Sequence, residues 1–495
     1  MFTLRLTQYT DSQLDWYRVE VALEGDGARQ TATVRFQFKL TSQEQENIRW
    51  YLEDYLQYLS DPAPQIAAKV ERRMAEIGVE LFKAIFQAND DARDLWASLR
   101  QNLNHTRVEI LTDVAQATAI PWELLRDPKT DTCLALRSPA FVRSYSQAAQ
   151  RPRLPQTNGD AIRILLVICR PRGRADVPFR SVASRLIKGL GNRPDGFQLD
   201  VLRPPTFEQL SRILRQAKAQ GKPYHVVHFD GHGIYQDSRQ LALNGNPLVF
   251  ADRRSGMHGY LAFENGLADD NVEFVSGSDL GRLLVETDVP VLVLNACRSA
   301  HAEVQDAPTQ VNDMAPEKTD DPHSQVRALG SLAQEVMDAG VAGVVAMRYN
   351  VYVMTAAQFV ADLYASLVQG QTLGEAVTLG RKQLHDQPQR EIAYQPVALQ
   401  DWLVPIVYEA APIDLFPTSI HAPALTITLH ENDALPTTEM LDAQLPKTPD
   451  VGFFGRDETL LAIDRAFDDH AIVLIHAFAG SGKTSAAAEF GPCVP

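Results

Sequence analysis

Hydrophobic positions change their period several times along the chain. Thr31–Leu40 alternates, with Ala32, Val34, Phe36 and Phe38 on one face, the pattern of a half-buried strand. From Glu44 to Phe86 the spacing becomes helical. Ile66, Val70, Met74, Ile77, Leu81 and Ile85 recur at three- to four-residue steps, and Pro62-Ala63-Pro64 divides the stretch into two helices. Arg151–Gly159 is a Pro- and Gly-bearing connector. Beyond it, short runs rich in apolar residues at Ile162–Cys169, Phe197–Leu202, Tyr224–Phe229, Val289–Leu294 and Gly343–Met347 predict strands. Helical patterns lie at Thr206–Gln220, Ser331–Ala339, Thr355–Val368 and Leu373–Leu384. Strands alternating with helices predict an α/β fold with a doubly wound sheet. Two segments break the alternation. Residues 236–277 carry a hairpin at Tyr260–Phe263 and Glu273–Val275, expected to rim a groove. Residues 301–325 are polar and aperiodic, the composition of a mobile loop.

Chemistry in open α/β sheets sits beyond the carboxyl ends of the strands. Two strands here end on reactive residues: one runs into Asp230-Gly231-His232-Gly233, the other into Asn295-Ala296-Cys297-Arg298-Ser299. A free thiol with a pKa near ~8.5 is only slightly ionised at neutral pH, and a histidine in reach can take its proton. Cys297 is therefore the candidate nucleophile and His232 its base. Gly231 and Gly233 are expected to permit a turn with positive φ and to leave room for substrate backbone. His225 and His228 lie inside the strand and are not expected to act as the base. Asp230 and Asn295 either orient the two loops or serve structural hydrogen bonds. Cys169 also ends a strand, but without a histidine or glycine turn it reads as a buried core thiol.

The residues quoted around His232 and Cys297 resemble the CHAT family of cysteine proteases, relatives of caspases and separases. Ile120–Pro128 and Ala339–Met347 match as well, so the resemblance covers roughly residues 110–410. It implies a caspase-like sheet sandwiched by helices, with residues 1–150 a degenerate caspase-like lobe and 151–410 the catalytic lobe. It implies a Cys/His endopeptidase whose oxyanion hole is formed by the amides of Gly233 and Cys297. The strand ending at Met347 contributes to the specificity pocket in that clan, so Arg348 is a candidate partner for an acidic P1 side chain. The rival reading pairs Arg348 with a structural carboxylate. Asp306, Asp313, Asp320 and Asp321 are candidate self-processing sites, because relatives are cleaved in this region. The chain departs from the caspase signature, which places Gln-Ala before the cysteine and the histidine closer, so caspase specificity does not carry over.

Residues 411–450 read as a linker, with a short strand at Ala424–Leu429. Val451–Asp457 then precedes a helix at Glu458–Phe467, a strand at Ala471–His476 and the loop Gly480-Ser481-Gly482-Lys483-Thr484. Residues 451–495 resemble the start of a STAND-type signalling NTPase. The resemblance implies that the backbone at Gly480 and Gly482 cradles phosphates, Lys483 neutralises them and Thr484 holds magnesium. Ala477 stands where the full signature has its first glycine. Only residues 485–495 follow, too few for an acidic strand, so ATP and magnesium are expected only in a longer form.

A net charge of −15 argues against nucleic acid as the main partner. No apolar stretch is long enough to span a bilayer, and the first residues lack a signal peptide's apolar core. Cys133, Cys169, Cys297 and Cys493 have neither metal-ligand nor disulfide spacing, which points to a reducing cytoplasm and no metal site. The leading reading is a CHAT-type endopeptidase acting on a protein substrate without a cofactor. It is expected to be gated by an activator protein or an appended nucleotide switch, in bacterial defence or regulated cell death. The alternative is a catalytically silent CHAT fold serving as an interaction platform.

Overall fold

A computed structural model of the chain describes residues 2–11, 13, 16–25, 28–58, 60–112, 120–144, 161–171, 197–237, 257–268, 270–296, 332–349, 352–392, 395–415, 426–430, 457–478 and 481–490. The early alternation folds as an antiparallel meander of β1 (Phe2–Thr10), β2 (Trp16–Gly25) and β3 (Ala28–Gln37). Ala32, Val34 and Phe36 face the core, and Phe38 packs against it. Helix α1 (Ser42–Glu53) opens with a capping box between Thr41 and Glu44. In α2 (Ala63–Phe86) the whole 3.6-period set from Ile66 to Ile85 is buried. Phe82 and Phe86 each stand 4.8 Å from the Trp96 ring on α3 (Asp90–Leu99), locking those helices together. Next come β4 (Thr106–Thr112), parallel to β1, and a small hairpin of β5 (Arg126–Asp127) and β6 (Thr132–Cys133). Helix α4 (Leu134–Arg137) and β7 (Phe141–Ser144), parallel to β4, complete this half.

The second half starts with β8 (Ile162–Ile168), β9 (Phe197–Leu202), α5 (Phe207–Ala219) and β10 (Val226–Asp237). The hairpin of β11 (Met257–Glu264) and β12 (Val272–Ser276) follows, then α6 (Gly277–Glu286), β13 (Val291–Ala296), a helical stretch over 332–338 and β14 (Gly343–Met347). Helices α7 (Val353–Val368) and α8 (Leu373–Asp386), a hairpin of β15 (Gln389–Ile392) and β16 (Gln395–Ala398), β17 (Pro405–Glu409) and β18 (Thr426–His430) complete it. The inner strands are apolar on both faces because both are covered. Leu165, Val227, Phe229, Leu292 and Leu294 enter one core, while Ile164, Val226, Val291 and Val293 enter the other.

Both halves share one 14-stranded sheet, ordered β18-β9-β8-β10-β13-β14-β17-β7-β4-β1-β2-β3, with β11 and β12 branching from β10. The seam is β17, antiparallel to β14 and parallel to β7. Two buried groups staple it. Glu409 accepts from Arg107 Nη2 at 2.6 Å and from the Gly374 amide at 2.7 Å. Arg381 on α8 donates to the Pro405 and Phe141 carbonyls, at 2.9 Å each, and so grips both strands. The strand expected near Ala424 is β18, and it forms the outer edge of this sheet beside β9.

At the C-terminal end, α9 (Asp457–Asp469) and α10 (Lys483–Phe490) are present. The expectation of a strand at Ala471–His476 is corrected: among the described residues nothing pairs with this run. Ile472 and Leu474 are 87% and 84% exposed. An apolar run becomes a strand only where a neighbouring ladder takes up its backbone groups.

Candidate active site

β10 and β13 run parallel with a register that ends Phe229↔Leu294, Asp230↔Asn295, Gly231↔Ala296. The next residues in sequence are His232 and Cys297. Cys297 lies outside the described residues, as do Asp306, Asp313, Asp320 and Asp321. The turn expected at His232 is corrected. β10 continues through it, leaving its parallel partners and pairing antiparallel with β11 from His232↔Ala262 onward, with Gly233 opposite Leu261. Gly231 is small for a different reason than φ. A Cβ there would stand 2.8 Å from the Phe229 ring and 3.2 Å from the Cys169 Cβ. The left-handed glycines among the described residues are Gly221, Gly340, Gly370 and Gly482. His232 is half-buried at this edge of the sheet.

The two histidines inside β10's approach are interior groups. His225 Nδ1 accepts the Arg163 amide at 2.9 Å, and burial, helped by the Arg163 charge, lowers its pKa to about 4. His228 Nδ1 lies 3.1 Å from the Tyr364 hydroxyl, and burial lowers its pKa to about 4 against the pull of Asp230. Both are neutral at physiological pH. Cys169 is fully buried, and that burial pushes its thiol well above the ordinary value, in keeping with a core thiol.

Beneath His232 lies a polar cluster. Arg170, just past the end of β8, donates from Nη2 to Asp230 Oδ1 at 2.9 Å and from Nη1 to the Asp230 carbonyl at 2.9 Å. Asn295 Nδ2 lies 3.5 Å from Asp230 Oδ2. The structure therefore joins Asp230 and Asn295 across the carboxyl edge of β10 and β13. Arg170 was not singled out from sequence, although the same rule that drew attention to Arg348, an arginine directly after a buried strand, applies to it.

Arg348 is buried. Its Nη1 donates to the Ile120 carbonyl at 3.1 Å and lies 3.5 Å from Glu123 Oε2. Glu123 also takes Arg143 Nε at 3.1 Å and Nη2 at 2.8 Å. Burial works to raise the Glu123 carboxyl, but Arg143, Arg348 and Arg381 outweigh it and hold it below the ordinary range. As described, Arg348 stands against a structural carboxylate of its own chain, not open to a ligand. The segment Ile120–Pro128 thus has a physical role: it supplies the anion that Arg143 and Arg348 meet and that the Arg381 charge also stabilises.

In the C-terminal loop Gly480 lies outside the described residues. Gly482 has φ +79°, and Lys483 Nζ donates to the carbonyls of Ala477 and Phe478 at 2.8 and 2.9 Å. Thr484 sits exposed in the first turn of α10. Among the described residues no group of His, Cys, Asp and Glu could hold a metal ion, and no helix is long and apolar enough to cross a membrane.

A large mixed sheet flanked by helices, with a histidine leaving its parallel core at the carboxyl edge, defines a caspase-like α/β protein. The CHAT domain family matches residues 76–421, well over half the chain, and the chain belongs to that family, a caspase-like protease family. No curated protein matches it. The family match ends before the loop at Gly480–Thr484.

Proposed function

We propose that this chain is a cysteine endopeptidase. Cys297 attacks the scissile carbonyl of a protein substrate, and His232 takes the thiol proton and returns it to the leaving amine. The amides of Gly233 and Cys297 hold the oxyanion, each such donor being worth ~10²–10³ in rate. The observation that carries the reading is the β10–β13 register, which stops at Gly231↔Ala296, one residue before His232 and Cys297. Neighbouring strands lie ~4.8 Å apart, and His232 and Cys297 are the next residues after the ends of this paired stretch, which supports a shared site. The same proposal includes action as an effector in bacterial defence or regulated cell death.

The test is cleavage of a peptide library varied at P1 by the wild-type chain and by Cys297→Ala. Cleavage confined to the wild type is expected. If partner binding persists in Cys297→Ala and neither chain cleaves or takes up an electrophilic peptide at Cys297, the chain is an interaction platform instead. The library also tests Arg348. Recognition of an acidic P1 side chain would require Arg348 to exchange Glu123 for substrate, and no enrichment of Asp or Glu at P1 removes it from the pocket.

A nucleotide switch at the C-terminal end is a separate part of the proposal, supported by the left-handed Gly482 and by Lys483 gathered over its own loop. A phosphate would replace the two carbonyls as the ammonium's partners. Retention of a fluorescent ATP analogue that is lost in Lys483→Ala is the expected outcome. No retention by the wild-type chain removes nucleotide binding by these residues.

A further inference from the structure

We propose that Arg170 is a positioning residue for the reaction, a clip that holds the ends of β8, β10 and β13 in the alignment His232 and Cys297 require. The proposal rests on the cysteine-peptidase reading. β10 exchanges all its partners within three residues. Its ladder with β8 ends at Asp230↔Ile168, its ladder with β13 ends at Gly231↔Ala296, and its pairing with β11 begins at His232↔Ala262. The exchange falls at Gly231, packed so closely that a Cβ there would stand 2.8 Å from the Phe229 ring. Beyond it the strand pairs only with β11 among the described residues, from His232↔Ala262 onward. The junction therefore sets the imidazole's position relative to the β13 end, and a displacement of about 1 Å costs on the order of 10²-fold in rate.

Arg170 supplies the restraint. Its guanidinium is 2% exposed and donates from Nη1 to the Cys169 carbonyl at 2.8 Å and the Asp230 carbonyl at 2.9 Å, and from Nη2 to Asp230 Oδ1 at 2.9 Å. The Asp230 carbonyl, the last backbone acceptor before Gly231, also takes the Cys169 amide at 2.9 Å. The other Asp230 oxygen faces Asn295 Nδ2, two residues before Cys297. One planar fork thus fixes the backbone two residues before the histidine and, through a carboxylate, the strand two residues before the cysteine. Among the described residues, the node also holds Glu264, which accepts the Arg170 amide at 2.8 Å, and Arg465 on α9, 3.3 Å from Glu264.

The experiment is the rate of iodoacetamide alkylation at Cys297, read by peptide mass spectrometry across the thiol and imidazole titrations. Wild type, His232→Ala, Arg170→Met and Arg170→Lys are compared. In the wild type, reactivity is expected to persist below the ordinary thiol pKa of ~8.5 and to lose that extension in His232→Ala. Arg170→Met is expected to move the inflection back toward the ordinary value, slowing alkylation at neutral pH about tenfold, one pKa unit's worth. Arg170→Lys keeps the charge without the fork and falls between. A folded Arg170→Met chain with the wild-type profile overturns the proposal, even if its melting temperature falls. If Arg170→Met does not fold, Asn295→Ala, which leaves the Arg170–Asp230 pair intact, takes its place. A displaced profile then supports the proposal and a wild-type one overturns it. An ordinary profile in the wild type, unmoved in His232→Ala, overturns the peptidase reading itself and the clip with it.

Discussion

Replacement of His232 by alanine is expected to slow peptide cleavage at neutral pH by about 10²–10⁴-fold, the usual worth of a positioned acid–base group. The thiol left behind titrates near ~8.5 and is a few per cent ionised at neutral pH. The residual rate should therefore rise through that range instead of reaching a plateau below it. Neither neighbouring histidine can take over. His225 and His228 are buried with pKa values of about 4, and the ring contacts that hold them run to Arg163 and Tyr364 in the interior. Initial rates against pH for the wild type and His232→Ala decide the matter. Equal rates at neutral pH would remove His232 from the reaction.

The largest effect on stability is expected from Glu123→Ala. Glu123 is fully buried, takes both nitrogens of one face of Arg143, and stands 3.5 Å from Arg348. The alanine variant deprives these buried guanidinium groups of their shared carboxylate. Breaking a buried pair from one side costs about 3–5 kcal/mol, a large part of the ~5–15 kcal/mol that holds a typical fold together. Because the carboxyl is held below its ordinary range, its ionisation contributes stability above that range. The contribution is lost as pH falls through the depressed value. Glu123→Gln keeps the shape, loses the charge and should fall between. Denaturant unfolding measures both, and a Glu123→Ala midpoint equal to wild type would mean that other groups neutralise the arginines.

The parts of this structure that depend on local pattern were legible from sequence. The run Gly343–Met347 is a strand with the expected ends because a strand buried on both faces is apolar throughout, and Phe197–Leu202 keeps its expected ends although Gln198 and Asp200 interrupt its apolar positions. The face of α2 from Ile66 to Ile85 is buried for the equivalent helical reason. Gly231 shows where local reading stops. A glycine beside a histidine looks like a turn, yet here it makes room for Phe229 and Cys169 while the strand runs on. The run at Ala471–His476 shows the converse, since its apolar character matches a strand's but its backbone has no ladder among the described residues.

By itself, then, the amino-acid order determined the α/β class, most inner strands and the two strand ends from which His232 and Cys297 follow. These depend on period and on which residue comes next after a buried run. Only the tertiary structure decided that both halves share one sheet through β17, that Arg348 meets Glu123, and that Arg170 clips Asp230. Arg348 and its carbonyl partner at Ile120 are 228 residues apart in the chain, and Arg170 and Asp230 are 60 apart. An arginine's partner is chosen by which carboxylate the packed strands bring within about 3 Å in a dry interior, and no periodicity along the chain carries that choice.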